Sequence, residues 1–242
     1  MKHILFIGDI HGVPDWQELM PFGLYQCDEI VFLGDYIDSF HISPEDQLSN
    51  LQNIIEFAKK ESDVVTLLLG NHDYALIHGY SSISGYQHGY ASAYKELFEN
   101  NKDLFSIAWG YTNEKGKYTL ATHAGLQWKY WQNYVLREFE KDKFLYKLTD
   151  GKNDLPIHET LNFLKDKKDT IWTVGPRRGG FQTGSPIWAD YNELITDPYP
   201  NINQIVGHTP GITTRITSIE DGFLACIDLR GNIKIASMTI SL

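Results

Sequence analysis

The sequence is short of cysteine. Its 242 residues hold two, Cys27 and Cys226. Neither belongs to a C-x-x-C pair, which disfavours a disulfide scaffold or a cysteine-built zinc site and leaves two buried, reduced thiols as the expectation. Long apolar runs are missing too: Ile4-Leu5-Phe6-Ile7 gives way at once to Gly8-Asp9. A secretory signal needs about 7–15 apolar residues, and a membrane span about 20. The expectation is a soluble cytoplasmic protein with no membrane partner. Positive charge is in deficit, since 21 Lys and Arg against 31 Asp and Glu give a formal net charge of −10. Such a surface repels a phosphate backbone and argues against extended nucleic-acid binding. Apolar residues at 42% and charged residues at 21% exclude a wholly disordered or collagen-like chain. No repeat, charge block or linker stands out. One domain over 1–242 is expected, with a core large enough to need no staples. Oligomeric state leaves no mark on the sequence.

What is there is a repeated local grammar. Short apolar runs end abruptly in glycine and a polar cluster. Ile4–Ile7 leads into Gly8-Asp9-Ile10-His11-Gly12, and Ile30–Leu33 into Gly34-Asp35-Tyr36-Ile37-Asp38. Val64–Leu69 leads into Gly70-Asn71-His72-Asp73, Tyr118–Thr122 into His123-Ala124-Gly125, and Ile205-Val206 into Gly207-His208-Thr209-Pro210. Runs of this length, rich in β-branched residues and bounded by glycine, predict buried strands. Each polar cluster follows its run, so all five fall at C-terminal strand ends, the edge where α/β sheets bind ligands.

Helices are predicted between the strands. Ser43-Pro44-Glu45-Asp46 combines a capping serine, a proline at the first position and acids in the first turn. Leu48, Leu51, Ile54, Ile55 and Ala58 follow at helical spacing. Residues 89–100 and 156–168 also read as helices. Phe223–Ile227 and Ile233–Ile240, around Arg230-Gly231-Asn232, read as a hairpin. Residues 74–90 and 174–186 read as exposed excursions, of the kind that carries function on a rigid sheet.

The strand ends collect carboxylate, imidazole and amide groups, the donors that suit Mn, Fe, Zn and similar divalent ions. In an extended segment Asp9 and His11, at i and i+2, point the same way and could grip one ion. Asp35, Asn71, His123 and His208 complete enough donors for two ions, and an Asp carboxylate can bridge a pair. Two ions clamp the attacking and leaving oxygens of a phosphoryl displacement. One cluster alone would pass for a turn with a solvated histidine. Five in order, without a metal, would pack acids and histidines together at an uncompensated desolvation cost.

These five motifs, spanning residues 8 to 210, resemble those of the calcineurin-like metallophosphoesterases. Within that superfamily the branch of similarity is the phosphoprotein phosphatases with their bacterial and diadenosine-tetraphosphatase relatives. The resemblance implies an α/β (α+β) fold, a two-sheet β-sandwich flanked by helices with the site at the strand ends. It implies that Asp9, His11 and His208 hold one metal, Asn71 and His123 a second, and that Asp35 bridges both. His72 would be the general acid and Asp38 its orienting partner. The activity implied is a dinuclear metal-dependent phosphatase. A hydroxide held between the ions, Mn or alternatively Fe, Zn, Ni or Co, would attack a phosphomonoester of a protein or a small molecule.

Two departures bear on substrate binding. Ser39-Phe40 follow Asp38 where the phosphoprotein phosphatases continue with Arg-Gly, and Asp73 ends the third motif where they have Glu. Arg177 and Arg178, in a glycine-rich loop, are the candidate replacements for the absent phosphate-binding arginine. The alternatives are a dinucleoside polyphosphate hydrolase or phosphodiesterase on the same centre, and, from another class, a non-catalytic metal-binding scaffold.

Overall fold

The computed structural model describes residues 1–141, 155–229 and 235–242. Each of the five apolar runs is a strand. β1 (His3–Ile7), β2 (Glu29–Phe32) and β3 (Val65–Leu68) lie parallel, and β4 (Phe105–Ser106) continues the sheet beside β3. β5 (Ala108–Thr112), β6 (Tyr118–Thr122), β7 (Ile202–Val206), β8 (Arg215–Ile219) and β9 (Gly222–Cys226) build a second sheet in the order β5-β6-β7-β9-β8. Here β6, β7 and β9 run parallel, while β5 and β8 are antiparallel edges. β10 (Ser237–Ser241) closes the first sheet antiparallel to β1, pairing Ser241 with His3.

Alternation along the strands decides the layers. Ile4 and Phe6 of β1, with Val31 and Leu68, share one buried cluster with Trp109, Ala121, Ile205 and Ala225 of the other sheet. The Phe6 and Trp109 rings meet edge-on at 5.5 Å across that layer. The opposite face of β1, Leu5 and Ile7, packs with Ile30 and Phe32 against helices. Those helices are α1 (Trp16–Gln26) and α2 (Pro44–Lys60), which contribute Trp16, Met20, Leu51, Ile54 and Ile55. Outside the second sheet, Tyr191 and Leu194 of a short helix cover Val206, Leu224 and Cys226. The result is the expected mixed α/β arrangement of two sheets flanked by helices. No helix among the described residues is long and apolar enough to cross a membrane.

The start of α2 forms as its residues dictate: the Ser43 side chain accepts from the Asp46 N–H at 3.1 Å, and Pro44 opens the helix. α4 covers Ala91–Asn100 of the predicted 89–100. Residues 156–168 hold helix only over Ile157–Phe163, followed by turns and a separate helical turn at Lys168–Ile171.

Three expectations need correction. The C-terminal hairpin does not form, because β9 lies inside the second sheet and β10 at the edge of the first; its anticipated turn at 230–232 falls outside the described residues. Strand alternation alone cannot say which sheet a strand joins. The excursion predicted at 74–90 starts later, because Asn71–His78 is a helix, α3, with Tyr74, Ala75 and Leu76 buried. Cys226 is buried, but Cys27 is only partly so, and both are free.

Candidate active site

The parallel strands of both sheets end beside one cavity of about 390 Å³. Asp9 and His11 follow β1, Asp35 and Asp38 follow β2, and Asn71 and His72 open α3 after β3. His123 follows β6 and His208 follows β7. Seven of these eight line the cavity, and His123 lies fully buried behind it.

The backbone bends sharply to aim them. Among the described residues six non-glycines have positive φ, and four of those are His11, Asp35, Asp38 and His208, at 40°, 51°, 68° and 63°. Non-glycine residues rarely adopt this left-handed region, and such strain concentrates at functional sites. It also replaces the extended geometry expected for Asp9 and His11. Left-handed His11 turns its imidazole to Asp35, while the Asp9 carboxylate accepts the His208 N–H at 3.1 Å. Two glycines allow the close approaches: a Cβ at Gly70 would collide with the Asp35 carboxylate, and one at Gly207 with that of Asp9.

Asp73, fully buried, pins the turns. Its two oxygens accept the N–H groups of Asp35, Tyr36 and Gly70 at 2.8, 2.9 and 2.9 Å. Asp35 in turn accepts the His72 N–H at 3.0 Å. The imidazoles are oriented from behind. His11 Nδ1 donates to the Ile37 carbonyl and His123 Nδ1 to the Leu33 carbonyl, each at 2.8 Å. This leaves His123 Nε2 facing Asn71 Oδ1 at 3.0 Å, Asp35 Oδ2 at 3.2 Å and His208 Nδ1 at 3.2 Å. His11 Nε2 lies 3.7 Å from the same Asp35 oxygen. Donor atoms of His11, Asp35 and His72 form one set within 4.8 Å of one another, and those of Asp35, His123 and His208 form another. Asp35 belongs to both. His72 Nδ1 donates to Asp38 Oδ2 at 2.9 Å.

The electrostatics of the cluster are frustrated. Burial raises Asp9 well above the usual carboxylate range, and the neighbouring Asp228 adds to the rise. Burial pushes Asp35 the same way, but His123, His72 and His11 outweigh it and hold it well below. Burial, then His123 and Arg178, drive His208 far down.

The arrangement fits divalent cations. His123 Nε2 converges with Asn71 Oδ1, Asp35 Oδ2 and His208 Nδ1. Burial lowers its imidazole, but the neighbouring Asp35 and Asp9 carboxylates outweigh it and raise it to about 10. His208 Nε2 and Asp38 Oδ1 are buried without a partner. Carboxylates, imidazoles and an amide oxygen together are the donors that Mn, Fe or Zn accept.

The sequence matches the family described as calcineurin-like phosphoesterase over residues 2–211. The chain belongs to that family. Among solved structures, this phosphoesterase is similar to the cold-active protein-tyrosine phosphatase of a psychrophilic Shewanella species, at 19% identity and a TM-score of 0.50, over 93% of this chain and 70% of the other. Another cold-active protein tyrosine phosphatase structure is 20% identical with a TM-score of 0.53, over 100% of this chain and 74% of the other. At such identities the likeness concerns the fold. No curated protein matches the sequence significantly.

The two candidate arginines of this phosphoesterase part company. Arg178 lines the cavity, and its Nη2 donates to the His208 carbonyl at 3.1 Å and to Thr209 Oγ1 at 2.9 Å. Its Nε sits 3.3 Å from Asp190. Arg177 is exposed on the same turn and is not among the cavity residues. Ser39 is buried and serves its own turn, its hydroxyl accepting from the His41 and Ile42 N–H groups. Sequence reasoning missed Asp228, which is buried, lines the cavity and is pushed up to about 7, chiefly by burial. The signal was present, since Phe223–Ile227 runs into Asp228 as the other runs end in their clusters; assigning the segment to a hairpin hid it. Phe40, Ser82, Ile83, Ser84, Trp188 and Pro210 also line the cavity; Pro210 ends the fifth motif, and 82–84 fall within the predicted 74–90 excursion.

Proposed function

We propose that this calcineurin-like phosphoesterase is a phosphomonoesterase working with two divalent ions, and that residues 1–242 act as one domain. The observation that carries the reading is the single Asp35 carboxylate shared by two sets of converging donors, with Arg178 on the wall of the same cavity. Asp9 and His11 would hold one ion and Asn71, His123 and His208 the other, with Asp35 between. His208 changes sides from the expectation because its Nδ1 lies 3.2 Å from His123 Nε2, in the set of Asp35 and His123. Asp228 adds a carboxylate beside Asp9. When bound, such ions supply Lewis acidity and an activated water at neutral pH.

The chain's own groups do the rest. Arg178 is braced through Nη2, with Asp190 3.3 Å from Nε as an ion partner, and its guanidinium on the cavity wall would hold a phosphoryl oxygen and stabilise its charge. His72 donates the proton that the departing alkoxide needs. Asp38 fixes the ring by accepting from Nδ1, so that Nε2 carries the transferable proton. Burial draws the His72 imidazole down, but Asp35 and Asp38 outweigh it and the net shift is upward, which favours the acid form. The similar cold-active enzymes are protein-tyrosine phosphatases, which is compatible with a phosphomonoester substrate.

The test is hydrolysis of p-nitrophenyl phosphate with added Mn²⁺, before and after chelation. The reading requires turnover that chelation removes and metal restores. No turnover with any of Mn, Fe, Zn, Ni or Co would make the chain a binding scaffold. Faster hydrolysis of bis-p-nitrophenyl phosphate than of the monoester would make it a diesterase.

A further inference from the structure

Beyond the metal donors and Arg178, the cavity has a second wall that catalysis leaves unused. Phe40 lines the cavity and is 72% exposed. A ring of this size left open to water beside a polar site is the kind of exposed apolar surface that marks a binding contact. Ile83, half-buried between exposed Ser82 and Ser84, lines the same cavity. Trp188 and Pro210 add further apolar surface, with the Trp188 ring 5.6 Å from that of His208.

Phe40 and Ile83 come from segments that are tied together. Gln87 Nε2 donates to the Ser39 carbonyl at 3.3 Å. Gly85, with φ of 74°, lies so close to the Asp38 carbonyl that a Cβ there would collide with it. The loop carrying Ile83 is thereby fastened to the turn carrying Phe40, which begins at Asp38, the partner of His72. The apolar wall stands next to the group that would protonate the leaving oxygen. Whatever is bonded to that oxygen lies where Phe40 and Ile83 can touch it.

We infer that the site takes aryl phosphates, the aromatic leaving group packing against Phe40 and Ile83 while the phosphoryl group lies with Arg178 and the strand-end donors. The inference rests on the phosphomonoesterase reading. A flat ring matches the Phe40 face by stacking and buries more apolar area than a short alkyl chain. The Ser82 and Ser84 hydroxyls offer polar contacts at the rim. The aryl phosphate could belong to a tyrosine side chain or to a free small molecule.

The experiment compares kcat/KM for a phosphotyrosine peptide, phenyl phosphate, a phosphoserine peptide and glycerol 2-phosphate, with wild type, Phe40→Ala, Phe40→Tyr and Ile83→Ala. Binding of benzylphosphonate and butylphosphonate is measured alongside. Phe40→Ala should lower the aryl-to-alkyl ratio about tenfold, mainly through KM, and should lower benzylphosphonate affinity by a similar factor. Phe40→Tyr should keep both, and Ile83→Ala should lose part. A larger effect on the peptide than on phenyl phosphate assigns the ring to a tyrosine side chain, and an equal effect assigns it to a small molecule. Turnover of all esters with an unchanged ratio in Phe40→Ala overturns the inference alone. No turnover, with benzylphosphonate preference still lost in Phe40→Ala, overturns the phosphatase reading and keeps the aryl site.

Discussion

His72 shows how one side chain is set up by its neighbours. Its N–H is held by Asp35 and its Nδ1 by Asp38, so ring position and tautomer are both fixed. Replacing it by Asn removes the proton donor while Asp38 and the metal donors stay. His72→Asn is expected to lower kcat about 10²–10⁴-fold with metal content unchanged by elemental analysis. Wild-type rates would remove it as the acid. Asp35→Asn should instead lose bound metal, because an amide has one donor oxygen and no charge; full occupancy would remove Asp35 as the shared ligand. The eight strand-end residues were legible because donor type and position after a strand both carry information. Asp228 obeyed the same rule and was lost because its strand was assigned to a terminal hairpin. Phe40 could not be found, since an exposed aromatic next to a motif is indistinguishable in sequence from one that packs. Tyr74 and Tyr80, within the stretch read as an exposed excursion, pack instead, stacking on Trp172 at 6.1 and 4.2 Å.

Elements that carry their own start signals were the readable ones. α2 announces itself with Ser43-Pro44, and Ser43→Ala should cost about 1 kcal/mol in a urea titration by freeing the Asp46 N–H. An unchanged midpoint would mean that the cap does not contribute. β9 and β10 were recognisable as strands, but not their partners: β9 pairs with β7, Leu224 beside Gln204, and β10 with β1 at the far end of the chain, Ser241 beside His3, which no local pattern encodes. α3 ends in His78, whose ring lies 4.1 Å from that of Tyr74. Burial, then Lys168 and Lys95 against the opposing Asp166, lower His78 from 6.5 to about 4. The unfolded chain therefore takes up a proton near pH 6.5 that the folded chain refuses until about pH 4. The stabilising contribution is full above the higher value and is lost as pH falls through this window. His78→Gln should flatten the fall in the urea midpoint between pH 7 and 4; an unaltered slope would show that His78 plays no part. The ring is half-exposed, so solvent screening keeps the effect small.

At the scale of the molecule, the site is a joint between the two sheets: Asp9, Asp35 and Asn71 come from one, His123, His208 and Asp228 from the other. Ions bound across it tie the sheets together. Saturating Mn²⁺ at a hundredfold over Kd should raise Tm by roughly 5–10 °C for a chain of this size. EDTA should reverse the rise and Asp35→Asn should abolish it; an identical shift in that variant would place the ion elsewhere. The strands were legible from apolar runs and the two-sheet arrangement from the family resemblance of the five motifs, and the cavity's depth and outer wall were not, because they arise where distant loops meet. The hydrogen bond from His208 to Asp9 spans 199 positions of the chain. During synthesis at about 5–20 residues per second, the first donor therefore waits roughly 10–40 s for the last. On the proposed ligand assignment, a nascent chain stalled before His208 would leave the ribosome short of a metal donor, so metallation would belong to the finished polypeptide and not to its growing N-terminal half.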